Sequence, residues 1–343
     1  MKRDIRVALV GFGHVGRRFA EQLRGPYATV LRAAGARVRI TGIATARHGL
    51  AIDPRGIPVR RAGRLVDAGR SLEALCRGLP PRDARQLIAQ VPADVLVELS
   101  PLDPHRGQPA TSYVRQALKR GMHVVTANKG PVAFARSTLV ALARRKGRLF
   151  LHEGAVMDGA PVFNLVACCL PGCRVLAFRG TLNSTTNLVL SRMEEGLSAR
   201  AALREAQTLG IAEADPRYDL DGWDAAVKGC ALAAGLMGAT VGPPQARRRG
   251  IGRVTALEVR RALLAGARVR LVVRAERRRG RVRVTVGPER VPLGDPLAGT
   301  GPDAVLVLRT DLLGEIGVIE RGATVDQTAY AVLSDLLQVV RAR

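Results

Sequence analysis

A chain of 343 residues with 47% hydrophobic content can bury a sizeable core and is long enough for two domains. No apolar run reaches the roughly eighteen residues of a membrane span, so no membrane partner is expected. The formal charge of +25 would suit a nucleic-acid binder, but aromatics make up only 3% and the basic residues are spread along the chain, so no nucleic-acid partner is expected either.

The N-terminus has a charged start and a short apolar run, but glycines interrupt that run and no small-residue cleavage site follows, so this stretch is not expected to act as a signal peptide. Ile5 to Val10 predicts a strand, followed at once by Gly11-Phe12-Gly13-His14-Val15-Gly16 and a helical pattern from Arg17 to Leu23. Gly11 permits the turn, Gly13 lets a pyrophosphate approach the backbone, and Gly16 lets helix pack on strand, which is the dinucleotide-binding arrangement. A purely structural glycine turn is the alternative. The second strand, Val38 to Ala44, should end at the residue that reads the adenosine ribose. An acid there favours NAD. Thr45, Ala46, Arg47 and His48 stand there instead, and Arg47 suits a 2′-phosphate, so the reading leans to NADP.

Ser71 to Ala89 reads as helical surface broken by Pro80-Pro81. Asp94 to Leu99 is a further strand closed by Ser100, and Met122 to Thr126 another, with Lys129 at its carboxyl mouth. Ligands of an open α/β sheet sit beyond those strand ends, so Lys129 is either a site residue or a surface turn lysine. A helix follows from Ser137 to Lys146, and then a strand from Leu149 to His152. The stretch EGAVMDGAPVFNL predicts an irregular loop whose carbonyls and carboxylates are the ligands a hard cation takes. Beyond it come a strand over 174–182, the polar cluster Asn183 to Asn187, a helix ending near Glu195, and a helix over 199–209 capped by Ser198. The cysteines Cys76, Cys168, Cys169, Cys173 and Cys230 form no CxxC pair and have no histidine at zinc spacing, so they read as buried free thiols of a cytoplasmic protein.

Glu213 to Lys228, EADPRYDLDGWDAAVK, is dense in carboxylates and runs into an apolar helix, Ala225 to Met237, with Asp221 as its expected N-cap. Asp224 and Lys228 are four residues apart and share one helix face. Only Lys2, Lys119, Lys129, Lys146 and Lys228 are lysines among the 54 basic residues. Where a bare cation sufficed this chain used arginine, which cannot give up its proton at working pH, so a lysine in an apolar helix points to proton transfer. The alternative is a solvated i,i+4 ion pair. Residues 247–290 carry fifteen arginines against three glutamates. The alternation in Arg268 to Val273 and Arg281 to Val286 predicts strands with one apolar and one cationic face. Val305 to Arg309 is a last strand, and Val325 to Val340 an amphipathic terminal helix.

Taken together, GFGHVG, TANKG, EGAVMDGAP, LNSTTN, EADPRYDLDGWDAAVK and TAYAVLSDLL resemble the homoserine dehydrogenase family in its short form, without an aspartokinase part or a regulatory extension. The resemblance implies an α/β Rossmann-type nucleotide-binding domain over 1–149, an α+β catalytic and dimerisation domain with a mixed or antiparallel sheet over 150–317, and a terminal helix over 318–343 packed back on the first domain. It implies reversible NAD(P)-dependent interconversion of L-homoserine and L-aspartate 4-semialdehyde. Lys228 becomes the proton donor and acceptor, Lys129 a second active-site lysine, and Glu213, Asp219, Asp224 and Thr185 the substrate residues. Gly11 to Gly16, Arg47, Ser100, Lys129 and Gly322 would hold the cofactor. A sodium ion would lie on Glu153 and the backbone of Val156, Asp158 and Ala160, in a loop that is richer in glycine in the family, and the chain would form a homodimer. The rival readings are another nicotinamide oxidoreductase of an amino or hydroxy acid, and a non-catalytic nucleotide-sensing or nucleic-acid-binding protein.

Overall fold

The computed structural model describes residues 3–342. The chain forms two compact units, Met1–Pro161 with Thr324–Arg343, and Val162–Ala323. The sequence places these divisions at 149/150 and 317/318.

The first unit is built on strands β1 (Arg3–Val10), β2 (Ala36–Ala44), β3 (Leu50–Ile52), β4 (Val95–Glu98), β5 (His123–Thr126) and β6 (Phe150–Leu151). They lie in the order β3-β2-β1-β4-β5-β6, parallel throughout except for the antiparallel edge strand β3. Unbroken apolar runs such as that of β1 belong in a parallel sheet covered on both faces, and Val7, Ala8 and Leu9 are fully buried. Strand order reverses between β1 and β4, which opens a crevice at their carboxyl ends. The terminal helix Val325–Arg341 sends Val332, Leu333 and Leu336 into the same core as Val7 and Phe19. Its Asp335 is 1% exposed, and burial pushes that carboxyl well above the usual range, while it accepts the Glu153 backbone N–H at 2.8 Å.

The helix after β5 runs Lys129–Arg145, eight residues earlier than Ser137. Proline is tolerated in a first turn, as Pro131 is here, and the Asn128 side chain caps the helix by accepting the Gly130 N–H. The stretch 71–89 is a short 3₁₀ turn, Leu72–Leu75, and a helix, Ala84–Gln90.

In the second unit β7 (Val175–Thr181), β8 (Arg247–Arg248), β9 (Ala267–Arg278), β10 (Arg281–Pro292), β11 (Ala304–Thr310) and β12 (Glu315–Glu320) form a mixed sheet in the order β12-β11-β7-β9-β10-β8. β9 and β10 pair along their full length through the two-residue turn Arg279-Gly280, where both φ angles are positive (48° and 78°), as the favoured two-residue hairpin turn requires. The edge strand β12 and the helix Ala256–Leu264 inside the arginine-rich stretch were not anticipated. All five cysteines are free, but only Cys230 is buried. Cys168 and Cys169 lie exposed on the short π-helical turn Leu165–Cys169, which buries none of its residues. Among the described residues no helix is long and apolar enough to cross a membrane.

Arginine is used inside this unit as well as outside. Arg270 is 1% exposed, donates to Glu194 at 2.8 Å and to the Gly299 carbonyl, and shares Glu194 with Arg268. Arg270→Ala strands a buried carboxylate, and is expected to cost about 3 kcal/mol, the low end of the range for a broken buried pair because Arg268 stays. A shift in the denaturant midpoint measures it.

Candidate active site

The glycine loop of the first unit follows the geometry its spacing predicts. Gly11 has φ +102°, and a Cβ there would stand 2.3 Å from the Leu99 carbonyl oxygen. A Cβ on Gly16 would stand 2.4 Å from the Gly11 carbonyl oxygen, so strand, turn and helix are in backbone contact. Gly13 differs: a Cβ there meets nothing within 4 Å, which leaves room for another molecule. Gly13 is also the N-cap of the helix His14–Gln22 and offers no side chain, so the first amides of that helix have no side-chain cap from it, the setting in which helix N-termini can take anions. His14 is exposed and Val15 half-buried, whereas the Phe12 side chain is 3% exposed and belongs to the core. Phe12 therefore offers a ligand only its backbone. Arg47 is exposed in the turn after β2, whose last carbonyl, that of Ala44, accepts the Gly11 N–H at 2.9 Å. Asp53, the first carboxylate beyond β2, is occupied by the Arg55 N–H and by Arg77.

A closed polar network ties the ends of β4 and β5. Glu98 is fully buried, and burial raises its pKa against hydrogen bonds from Ser100 and Thr126 that oppose the rise. It accepts the Ser100 N–H at 2.8 Å, the Ser100 hydroxyl and the Thr126 hydroxyl at 2.8 Å. Asn128 donates its amide to the Ser100 carbonyl at 2.9 Å and caps the helix that begins at Lys129. Lys129 is thus the first residue of a helix, not a turn residue. The sequence reading missed Glu98 and Asn128. The signal for Glu98 was an acid inside the apolar strand ADVLVEL, where no acid belongs without partners.

In the second unit the acids and the lysine converge. The helix Trp223–Met237 packs closely on the sheet through Gly229 and on Phe163 through Gly235. A Cβ on Gly229 would lie 2.5 Å from Val273 Cγ2, and one on Gly235 would lie 2.3 Å from Phe163 Cε1. Lys228 thereby points back to the start of the loop after β7. Its Nζ donates to the Leu182 carbonyl at 2.6 Å and pairs with Asp224 Oδ2 at 3.0 Å. The side chains are 20% and 7% exposed, so the pair is not the solvated one of the alternative reading. Asn183 donates its amide to Asp219 Oδ1 at 2.7 Å and to Asp224 Oδ2 at 3.0 Å. The Thr185 hydroxyl lies 2.8 Å from Asp219 Oδ2. Asn183 and the Leu182 carbonyl were missed as site groups, although LNSTTN placed five polar residues directly after a strand.

Other expectations need correction or stay apart. Asp221 is not the helix N-cap. It ends the preceding turn Arg217–Leu220, and Gly222, with φ +76°, takes the cap position because the reversal needs a left-handed residue. Glu213 is exposed in the loop before that turn, and among the described residues its carboxylate makes no hydrogen bond to the cluster. Asp215 is a surface partner of Arg217, which holds its carboxyl down at about 2. Gly322 has φ +59° between β12 and the terminal helix. In the first unit Glu153 is 2% exposed, and the turn Met157-Asp158 takes positive φ (59° and 39°). Asp158 does not add a free carboxylate there, since it accepts the Thr328 hydroxyl at 2.8 Å. Among the described residues no group of three or more His, Cys, Asp or Glu side chains forms a metal cluster.

Two family models match the chain: homoserine dehydrogenase over residues 161–337, and the homoserine dehydrogenase NAD-binding domain over residues 11–153. The homoserine dehydrogenase of Methanocaldococcus jannaschii is 34% identical, with 97% of this chain and 98% of that protein aligned. The NAD(+)-dependent homoserine dehydrogenase of Pseudomonas canavaninivorans is also 34% identical, over 98% of this chain and 96% of that protein. A hyperthermophilic archaeal homoserine dehydrogenase solved in complex with NADPH superposes with a TM-score of 0.83 at 26% identity, covering 98% of each chain.

Proposed function

The chain belongs to the homoserine dehydrogenase family of nicotinamide-dependent oxidoreductases, and from that premise we propose that Lys228 carries the proton of the reaction. One observation supports this most. Two acceptors, the Leu182 carbonyl and Asp224, take two of the Nζ hydrogens. These contacts fix the nitrogen of a half-buried lysine on a largely apolar helix, where it can pass between ammonium and amine and exchange a proton with a carbinol oxygen. Bound nicotinamide supplies a hydride acceptor for the carbinol carbon. In the oxidation direction the Lys228 amine would take the hydroxyl proton as the carbinol becomes the aldehyde. In reverse, the ammonium stabilises the developing alkoxide and then protonates it. Asp219, with both oxygens held by Asn183 and Thr185, keeps lone pairs for the substrate ammonium, and Glu213 is read as a second contact to it from the adjoining loop.

Gly11 to Gly16, Arg47, Ser100, Lys129 and Gly322 are read as the cofactor set, with NADP the favoured form, because an exposed Arg47 and no acid stand among residues 45–48, where an NAD-selective acid would stand. Arg47→Glu is expected to raise KM for NADP at least about tenfold and to leave or improve that for NAD. Equal effects on both would remove Arg47 from the choice. A sodium ion is read at the turn 153–160, where Glu153 is buried and the backbone at Met157 and Asp158 takes positive φ. Glu153 and the backbone of Val156, Asp158 and Ala160 would hold it, and it would neutralise Glu153 without entering the proton path. A cytoplasmic homodimer completes the reading, supported by five free thiols and by Ile319, 54% exposed on the edge strand β12. The deciding experiment is homoserine oxidation assayed with NAD and NADP in parallel. Activity with malate or another alcohol in place of homoserine would sink the substrate assignment.

A further inference from the structure

We propose that Asn183 is the positioning residue that sets both the orientation and the proton affinity of Lys228, an inference that rests on the reading of Lys228 as proton carrier. Asn183 is 4% exposed and every polar atom of its side chain is engaged. Its Oδ1 accepts the Thr186 N–H at 2.9 Å and so caps the helix Ser184–Glu194. Its Nδ2 donates one hydrogen to Asp219 and the other to Asp224. The amide cannot be flipped. That would aim its oxygen at two carboxylates and its NH₂ at an N–H.

The same Asp224 oxygen that accepts from Asn183 is the one paired with Lys228. Fixing it fixes one end of the ammonium, and the neighbouring Leu182 carbonyl fixes the other. Residues 182 and 183 therefore hold Nζ from two sides through a side chain and a carbonyl that are one peptide unit apart. The amide also spends its partial positive charge on both carboxylates. This holds them close together while limiting the negative field that Lys228 feels. A stronger field there would bind the Lys228 proton too tightly for homoserine oxidation, in which the amine is the working form.

The helix cap and the positioning role are separable by choice of variant. Asn183→Ser keeps a good cap but is too short to reach both carboxylates. Asn183→Asp keeps the cap acceptor and the shape, but adds a third negative charge beside Asp219 and Asp224. The experiment is homoserine oxidation by the full chain, with kcat, KM for the dinucleotide and the pH profile measured beside the melting temperature. For Asn183→Asp we expect the rising limb of kcat to move upward by about one pH unit, with kcat near neutrality down at least roughly tenfold and KM for the dinucleotide unchanged. For Asn183→Ser we expect a near-native melting temperature and kcat down roughly tenfold, again at constant dinucleotide KM. A native pH limb in Asn183→Asp, or kcat within twofold of the parent in a folded Asn183→Ser, overturns the proposal. If Asn183→Asp fails to fold, the serine variant decides alone. A parent chain that folds, binds the dinucleotide and oxidises no homoserine overturns the reaction and this inference together, and is told apart by needing no variant.

Discussion

Lys228→Ala is expected to lower turnover in homoserine oxidation by at least roughly a hundredfold, the usual worth of a positioned acid or base. The substitution takes the Lys228 ammonium away from the buried Asp224 carboxylate, so part of the effect is local disorder. Lys228→Arg separates the two contributions. A guanidinium can still pair with Asp224 and donate to the Leu182 carbonyl, but it does not release its proton at working pH. It should restore the melting temperature and leave kcat almost as low as in the alanine variant. Dinucleotide affinity, read as resting mainly on the glycine loop of the other unit, should change little in either. Measuring kcat, KM and melting temperature on the three proteins checks each statement.

The second large effect lies in the glycine loop, where three glycines have different reasons for being there. Gly11→Ala forces a side chain into a left-handed region and into a carbonyl 2.3 Å away. It is expected to cost at least about 3 kcal/mol of stability, since strain of roughly 1–3 kcal/mol from the backbone is added to the displacement of β4's end. Gly13→Ala should fold as the parent does, because its Cβ enters empty space. If that space receives a pyrophosphate, dinucleotide KM rises at least about tenfold with kcat at saturation largely kept, a uniform-binding loss. Thermal melts and dinucleotide titrations of the two variants give opposite patterns. A Gly13→Ala protein with native dinucleotide KM would place the phosphates elsewhere.

Much of this was legible because period and composition are local. The β1 run and its glycine loop, the alternating arginine and valine of β9 and β10, and the apolar helix bearing Lys228 declare themselves within a few residues of chain. Asp224 and Lys228 could be paired from their spacing alone. What was not legible depends on contacts distant in sequence. Asn183 meets Asp219 and Asp224 only after the loop following β7 is brought against a helix about forty residues later. Glu98 joins Thr126 across two parallel strands. The strand β12 carries a glycine and two acids in six residues, so only its pairing with β11 makes it a strand. The helix expected from Ser137 begins at Lys129, because the cap that Asn128 supplies lets it start ahead of Gly130 and Pro131. Asp221 was given the cap because acids usually take it, whereas the reversal of chain direction at 222 called for a residue without a side chain.

The claim that a single ammonium moves the proton is tested most directly by the pH dependence of kcat in both directions, for the parent and for Lys228→Ala. With Lys228 as carrier, oxidation of homoserine rises with pH as the amine form grows, reduction of the semialdehyde falls over the same range, and both limbs vanish in the alanine variant. Limbs that persist unchanged in Lys228→Ala would assign the proton to another group and contradict the account.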